Sequence, residues 1–389
     1  MGNHSMAFNG MLDEAPVEEG FCDTTKQLSG YFKIDGSKSK NYFYWFFESR
    51  NAPSTDPFVI WLTGGPGCSS ILALLGENGF SYGDTSEYDT DETMVGNDMY
   101  HFLQEFFQVH PEYAQNDFYV FGESYAGHYV PAVAHRIYIG NQKDDGNPKI
   151  NLKGIGIGNG LTAPEKTNVA CLVAQVYCNA ALVTPYQLSG LNVYDIREKC
   201  EHLPMCYDFS SIEKFLRLPS TLEALHVSPK SSKWESCNMV VHAAFSYDWM
   251  KNFDGLVTPM VENGIDVLVY AGDADFIVNW MGCKAWTVAL DWKYQSQFAQ
   301  IEDVDWVVKG KKAGKVRSLQ GLTFLQVFEA GHMVPMNQPE NALYMLEEFT
   351  KSKNSFAARH DLTATHDETA LDLLVVDDDD IQVDFVFSP

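Results

Sequence analysis

The chain has 389 residues, 45% of them hydrophobic and 20% charged, which is the composition of a globular protein with a sizeable core. Its formal net charge of -25 makes nucleic acids and anionic membranes poor partners, because both are also negatively charged. No stretch approaches the roughly 18 consecutive apolar residues of a membrane span, so none is predicted.

The two ends of the chain differ in character from the rest. Residues 1–20 have neither the basic region nor the apolar core of a signal peptide, and we expect this leader to be disordered. Residues 353–389 include four consecutive aspartates, and we expect a solvated, disordered acidic tail. The acidity of the whole chain fits an acidic compartment, where protonation of carboxylates reduces their mutual repulsion.

Apolar runs along the chain predict strands that alternate with helices. Residues 30–50 contain two such runs around a polar Gly/Ser turn, which predicts a hairpin. Helical spacing occurs at 93–107 and 126–140, and residues 165–255 have a mostly helical pattern. This order predicts an α/β fold with a mostly parallel sheet. Further buried strands, each ending in a polar or glycine-rich loop, are predicted at 58–62, 118–121, 150–158, 267–271 and 322–328.

Ser124 lies between a predicted strand and the helical run that follows it. In a nucleophile elbow, a sharp strand-to-helix turn raises a serine hydroxyl above the sheet, and small neighbours let the turn close. The segment GESYA departs from the G-x-S-x-G pattern at Ala126, and Gly127 follows it. A serine at this place could also simply cap the helix. A catalytic role therefore requires partners elsewhere in the chain.

Candidate partners follow two later strands. Asp273 and Asp275 come after the strand at 267–271, and His332 comes after the strand at 322–328. In α/β-hydrolases the triad has the chain order Ser, Asp or Glu, then His, each at the carboxyl end of a strand. The order and context favour a Ser–His–Asp triad that uses one of the two aspartates.

Five segments together resemble the serine carboxypeptidases, the relatives of carboxypeptidase Y and cathepsin A. Their sequences look most similar to those of the kinetoplastid members. They are WLTGGPGCSS, FGESYAGHYVP, GIGNGLT, VLVYAGDADFIVNWMG and FEAGHMVPMNQPENAL. The resemblance covers residues 21–352 as one domain. It implies an α/β-hydrolase fold with helices on both faces of the sheet and a helical insertion, at about 165–255, over the active site.

The same resemblance implies the function. The reaction would be release of the C-terminal residue from peptides or proteins at acidic pH, without a cofactor. The location implied is a lysosome or vacuole, or the outside of the cell. An oligomeric state does not follow from it.

Each catalytic residue receives a role from the resemblance. Ser124 matches the nucleophile, and His332 matches the general base and later acid. Asp275, the second aspartate of GDAD, matches the residue that orients the imidazole, which leaves the first aspartate as a loop residue. The backbone N–H groups of Gly65 and Tyr125 match the oxyanion hole, where they would bind the developing negative charge.

A recognition site for the substrate's terminal carboxylate is also implied, at Glu77 and Glu123 with Thr63 and Gly64 beside them. Carboxyls that face an anionic group in a buried site cannot all be ionised, so at least one must be protonated, with a raised pKa. Activity should then fall as pH rises. The family usually has asparagine where Thr63 stands, and a threonine hydroxyl donates one hydrogen bond with a shorter reach.

Two segments of the family pattern are missing. Gly79 and Phe80 are adjacent here, whereas the family has several dozen residues between these positions, including a strand of the central sheet. A second gap lies near Lys166 and Thr167, where the family's helical insertion begins. Because an inner strand needs paired neighbours on both sides, its loss removes a backbone ladder and exposes core.

The eight cysteines include no C-x-x-C motif, and H-E-x-x-H is absent, so no metal site is predicted. The resemblance pairs Cys68 with Cys237 and Cys200 with Cys206. It provides no partner for the other four, which are Cys22, Cys171, Cys178 and Cys283.

Three functions remain open at this point. The first is a serine carboxypeptidase. The second is a relative that uses the same triad for acyl transfer or ester hydrolysis, since a fold does not fix a function. The third is an inactive or mis-assembled relative that acts as a binding protein, which the two gaps favour.

Overall fold

The structure, a computed structural model, describes residues 12–34, 37–70, 79–144, 146–164, 177, 179–202, 206–351 and 356. None of the helices in these ranges is long and apolar enough to cross a membrane. The strands are β1 (Leu12–Pro16), β2 (Gln27–Lys33), β3 (Asn41–Phe47), β4 (Phe58–Thr63), β5 (Phe118–Glu123), β6 (Leu152–Gly158), β7 (Asp266–Gly272), β8 (Val304–Val308), β9 (Lys311–Leu319) and β10 (Leu322–Val327).

In these ranges the helices vary in length, and short ones lie both inside and outside the predicted insertion. They are α1 (Glu92–Val109), α2 (Ala126–Asn141), α3 (Thr184–Leu188), α4 (Ser210–Leu216), α5 (Pro219–Ala224), α6 (Met239–Ala244), α7 (Asp254–Glu262), α8 (Trp280–Val288), α9 (Gln295–Gln300), α10 (Val334–Asn337) and α11 (Pro339–Lys351).

The main sheet has seven strands in the order β4-β5-β6-β7-β10-β9-β8. The first five are parallel to one another, and β9 and β8 add to the end as an antiparallel hairpin. This confirms the prediction of a mostly parallel α/β sheet. The hairpin at 304–319 was not predicted, because its exposed face is rich in lysine and its apolar residues form no continuous run.

Helices cover both faces of the sheet, as predicted for an α/β-hydrolase. On one face, α1 and α2 pack on strand residues in a core that is rich in phenylalanine. On the other face, α11 packs on β5, where the ring of Phe349 lies 5.9 Å from Tyr119 and 5.8 Å from Phe121. Burial of both faces explains why the parallel strands read as continuous apolar runs in the sequence.

A separate sheet contains β1, β2 and β3, all antiparallel. The hairpin predicted at 30–50 corresponds to β2 and β3. The expectation of disorder throughout residues 1–20 is wrong for Leu12–Pro16, which pairs along the whole edge of β2. Val17 then packs with Trp45 in a satellite core. Main-chain pairing and this contact order a segment whose acidic sequence has no strand pattern.

The two sheets are not joined in the described part of the chain, and β4 is an edge strand with β5 as its neighbour. The interpretation of residues 58–62 as an inner strand is therefore wrong for the described residues, in which β4 pairs with β5 alone. The slot between β3 and β4 is bridged by aromatic contacts, such as Phe46 on Phe58 at 5.6 Å, and contains a cavity of about 130 Å³.

One end of this slot holds the residues that follow the junction at Gly79. Asn41 exchanges two backbone hydrogen bonds with Tyr82, at 2.8 and 3.0 Å, and the amide of Phe43 donates to the Ser81 hydroxyl. The rest of the slot lies between the unpaired edges of β3 and β4. Among the described residues, β3 and β4 have therefore not closed up against each other.

We expect this open edge to make the chain self-associate. Unpaired strand edges pair with other chains, and Val59 on β4 is exposed. The chain as written should be mostly insoluble, with turnover confined to its soluble fraction, whereas insertion of a family-length segment between Gly79 and Phe80 should give a soluble monomer. A glycine/serine insert of equal length is the control, and size-exclusion chromatography with light scattering is the measurement. A soluble, fully active monomer of the present sequence would show that the missing strand is dispensable.

Candidate active site

Ser124 lies in a sharp turn between β5 and α2. Its φ of 67° is in the left-handed region, which is strained for a residue with a side chain. Three backbone hydrogen bonds hold it there: its amide donates to Gly158 at 3.0 Å, and its carbonyl accepts from Gly127 and Leu161. The geometry is that of a nucleophile elbow.

The elbow depends on two glycines that let the backbone segments approach. A Cβ on Gly122 would lie 2.6 Å from the Leu62 carbonyl oxygen, and one on Gly127 would lie 2.6 Å from the Leu161 nitrogen. Gly127 is therefore the residue that lets the elbow approach the loop after β6. This explains why Ala126 is tolerated at the last place of the pattern.

His332 and Asp275 are brought together by the loops after β10 and β7. Nδ1 of His332 donates to Oδ2 of Asp275 at 2.7 Å, and both side chains are buried. This hydrogen bond leaves Nε2 as the basic nitrogen. Burial disfavours the charged imidazole, but the charge of Asp275 and its hydrogen bond outweigh burial and raise the pKa of His332. Asp273, the alternative partner, is not hydrogen-bonded to this histidine.

Asn159 is a site residue that the sequence did not identify. It follows β6, is fully buried, and its Nδ2 donates to Oδ2 of Asp275 at 2.8 Å. Its Oδ1 accepts from the Gly272 amide at 3.1 Å, and Oδ1 of Asp275 accepts from the Ile277 amide at 3.0 Å. These bonds fix the rotamer of the aspartate. The only signal in the sequence was the position of Asn159 at a strand end, in GIGNGLT.

A loop around Tyr194, within the predicted insertion, holds the two catalytic loops together. The amide of His332 donates to the Tyr194 carbonyl at 2.7 Å, and the two rings lie 5.2 Å apart. The amides of Phe276 and Ile277 donate to the carbonyl of Val193, at 3.2 and 3.0 Å. The orientation of the His–Asp pair therefore depends on the insertion as well as on the sheet.

The two residues expected to form the oxyanion hole lie on facing turns. Gly64 follows β4 and packs closely against the elbow. A Cβ on Gly64 would lie 2.3 Å from the Tyr125 nitrogen. Gly65 has a φ of 121°, which few other residues adopt. Within the described residues, the amides of Gly65 and Tyr125 donate to no protein acceptor.

The turn at Gly65 is tied to the insertion by a disulfide between Cys68 and Cys237. The second implied disulfide, between Cys200 and Cys206, is also present. Cys22 and Cys283 are free, whereas Cys171 and Cys178 lie outside the described residues.

Glu123 precedes the nucleophile and is buried. Burial raises the pKa of Glu123 to about 7; the charge of His332 opposes this rise and that of Asp275 adds to it. Thr63 lies beside Glu123 as its register partner in the ladder. Glu77, the second expected carboxylate-binding residue, lies outside the described residues.

Parallel strands in this order, with a serine elbow after β5 and histidine after β10, define an α/β-hydrolase. The chain belongs to the serine carboxypeptidase family, whose model matches residues 17–79, 76–184 and 165–352. The match comes in three overlapping pieces, which meet at residues 76–79 and 165–184, close to the two junctions where the resemblance implied missing segments.

Comparisons with individual proteins agree with this assignment. The chain is 40% identical to serine carboxypeptidase-like 47 of Arabidopsis thaliana, over 84% of this chain and 78% of the relative. It is 37% identical to carboxypeptidase Y of Komagataella phaffii, over 86% of this chain and 77% of the relative. The crystal structure of Kex1(delta)p, a prohormone-processing carboxypeptidase from Saccharomyces cerevisiae, shares the fold, with a TM-score of 0.70 and 23% identity over 85% of this chain and 93% of that chain.

The hydrogen bond from Asn159 to Asp275 should support turnover. Asn159→Ala removes a donor to a buried carboxylate, a loss of about 1.5–3 kcal/mol, so we expect kcat to fall roughly 10- to 100-fold. Asn151→Ala is the control, because Asn151 donates at 2.9 Å to Asp117, remote from the site. Steady-state kinetics should show little change in the control. Equal activity of both variants would contradict the role given to Asn159.

Proposed function

We propose that this chain removes C-terminal residues from peptides by a serine-type mechanism, with an acyl-enzyme on Ser124. Membership of the serine carboxypeptidase family supports the reaction class. The observation that carries the proposal is the buried carboxyl of Glu123 directly before the strained serine. An esterase needs an elbow and a His–Asp pair, but it has no need of a carboxyl that stays neutral beside the nucleophile.

The reaction would proceed in two acyl-transfer steps. Nε2 of His332 takes the hydroxyl proton while Oγ of Ser124 attacks the carbonyl carbon of the last peptide bond. The negative charge that develops on the carbonyl oxygen is bound by the amides of Gly65 and Tyr125. The imidazolium then donates its proton to the departing amine, and the terminal amino acid leaves. Water, deprotonated by the same imidazole, attacks the ester and releases the shortened peptide.

Asp275 would act on the histidine rather than on the substrate. Its hydrogen bond fixes the tautomer that presents Nε2, and its charge stabilises the imidazolium that forms during each step. Asn159 and the Ile277 amide hold the carboxylate in place. The general base is therefore oriented before the substrate binds, which lowers the reorganisation needed for proton transfer.

Recognition of the terminal carboxylate would use Glu123 in its protonated form, as a hydrogen-bond donor. Glu77 would be the second carboxyl, and Thr63 and Gly64 would contribute further donors. The net charge of the chain does not favour an anionic substrate, so recognition has to come from these neutral donors. The proposed location is an acidic compartment, such as a lysosome or vacuole, or the outside of the cell. Acidic pH there would keep Glu123 protonated.

A related acyltransferase or esterase is the second candidate, and the two gaps implied by the resemblance would favour the third, an inactive relative. Substrates separate them. A carboxypeptidase should hydrolyse an N-blocked dipeptide far faster than its C-terminal amide, an esterase should not distinguish the two, and an inactive relative should hydrolyse neither.

Ser124→Ala should abolish hydrolysis of an N-blocked dipeptide and labelling by a fluorophosphonate, because the hydroxyl is the atom that becomes acylated. His332→Ala should lose activity to a similar degree, since triad residues act as a unit. Ser232→Ala is the control, because Ser232 is partly exposed and its hydroxyl donates only to the nearby Pro229 carbonyl among the described residues. Rates are measured on the soluble chain, per titrated active site. Turnover of Ser124→Ala like that of the parent would exclude this serine as the nucleophile.

Glu123→Gln should change the pH profile. In the parent chain, kcat/KM for a dipeptide acid should fall as pH rises through about 7, because the carboxyl loses the proton with which it donates. The amide of Gln donates at every pH, so the variant should lose this decline. Hydrolysis of a neutral ester substrate by both chains is the control. The same alkaline decline in Glu123→Gln would mean that another group governs it.

A further inference from the structure

The Tyr125 side chain is enclosed on all sides although its backbone amide belongs to the proposed site. The residue is 2% exposed, and its ring stacks on His128 with centroids 4.4 Å apart. The ring of Trp249 lies 5.4 Å away and that of Phe245 6.1 Å away. Two of these three neighbours come from the insertion, not from the sheet domain.

A phenol buried among rings needs an acceptor for its hydroxyl proton. The acceptor here is Asp248, whose Oδ2 lies 3.4 Å from the Tyr125 hydroxyl. Asp248 is itself buried, and its Oδ1 accepts from Nζ of Lys251 at 2.7 Å. The side chain of Lys251 is about half exposed, so it brings the compensating charge from the surface.

The carboxylate of Asp248 lies among further acidic groups. Glu92 at the start of α1 is fully buried, and neither of its carboxyl oxygens has a partner among the described residues. Burial, and then the charge of Asp248, raise the pKa of Glu92, which keeps it neutral. The ion pair with Lys251 and the contact with the Tyr125 hydroxyl offset the cost of burying the Asp248 carboxyl.

A role for this contact follows from the position of Tyr125 on the chain. It is the first residue after the nucleophile and the N-cap of α2, with a φ of -59° and a ψ of -17°. Rotation of this residue about its backbone changes the direction of its N–H, which is one of the two proposed oxyanion donors. An anchored hydroxyl at the far end of a rigid side chain restricts that rotation.

We infer that Asp248 is a positioning residue of the reaction, which fixes the oxyanion-binding amide of Tyr125 by anchoring its hydroxyl from the insertion. This inference rests on the proposed serine mechanism and adds to it a role for the insertion. The insertion thereby sets catalytic geometry at two places, through Asp248 on the oxyanion side and through Tyr194 on the histidine side.

Tyr125→Phe removes only the hydroxyl and leaves the amide and the ring. We expect kcat to fall about 10-fold with little change in KM, because a misplaced donor weakens binding of the transition state more than binding of the substrate. Asp248→Ala should have a similar effect, and the double variant should be no slower than either single one. Affinity for a peptide aldehyde, whose adduct carries an oxyanion, should fall by the same factor.

Three controls separate positioning from general stability. Tyr138 lies on α2, the helix that Tyr125 caps, and does not contact Asp248. Tyr138→Phe should therefore have the same kinetics as the parent chain. Asp248→Asn keeps an oxygen that can accept from the Tyr125 hydroxyl. Its kcat should therefore lie between that of Asp248→Ala and that of the parent chain. Binding of a product-like terminal carboxylate should be unchanged in Tyr125→Phe.

Two outcomes would overturn the inference. One is an unchanged kcat in Tyr125→Phe, and the other is multiplication of the two single effects in the double variant. Each leaves the proposed function intact, provided that the parent chain hydrolyses its substrate. A parent chain that neither reacts with a fluorophosphonate nor hydrolyses an ester or a dipeptide would instead remove the proposed function, and the inference with it.

Discussion

Backbone pairing between five parallel strands is the constraint on which the site depends. Thr63 is the register partner of Glu123, and Glu123 is the register partner of Gly158. The ends of β7 and β10 are in register in the same way, at Gly272 and Val327. Ser124, Asp275 and His332 each follow one of these ends by no more than a few residues. A slip by one residue would reverse the side chains of a strand and break up the site.

The sheet fixes where the loops start, but the insertion fixes how their side chains point. The carbonyls of Val193 and Tyr194 accept from both catalytic loops, and Asp248 binds the residue after the nucleophile. The Cys68–Cys237 disulfide joins the insertion to the third loop, after β4.

Protonation of Glu123 and of His332 is linked by their mutual attraction. The productive arrangement has the proton on Glu123 and none on the imidazole. The alternative arrangement is an ion pair, with ionised Glu123 and protonated His332. Both arrangements hold one proton, so a change in pH does not convert one into the other. A substrate carboxylate converts them, because it repels the ionised Glu123 and accepts from the neutral one. Substrate binding itself would therefore release His332 to act as a base.

The raised pKa of Glu123 also affects the stability of the folded state. Glu123 and Glu92 both have pKa values above those of an unfolded chain, so the folded state retains their protons to higher pH. Stability from these groups is complete below the unfolded value of about 4.3 and decreases as pH rises; for Glu123 the decrease extends to about 7. These two buried carboxyls therefore make the folded state more stable at acidic than at neutral pH.

The sequence predicted what depends on local pattern. Buried parallel strands are continuous apolar runs, so the strands that lead to Ser124, Asp275 and His332 were recognisable, as was the chain order of these residues. Asn159 and Asp248 were not, because their roles depend on partners more than 100 residues away. The strand at Leu12–Pro16 was missed for a similar reason: it forms by pairing with β2 and has no pattern of its own.

The missing strand bears unequally on the parts of the site. Asp275, His332 and Ser124 follow β7, β10 and β5, each of which has neighbours on both sides. The turn at Gly65 follows β4, which is paired on one side only. It is held instead by the Cys68–Cys237 disulfide, by the hydrogen bond from the Thr63 amide to Ser70, and by close packing of Gly64 on the elbow. The acid–base machinery can therefore keep its geometry while the oxyanion donor on Gly65 loses support. Because a displacement of about 1 Å can cost 100-fold in rate, the gap acts on transition-state binding even where the triad is intact.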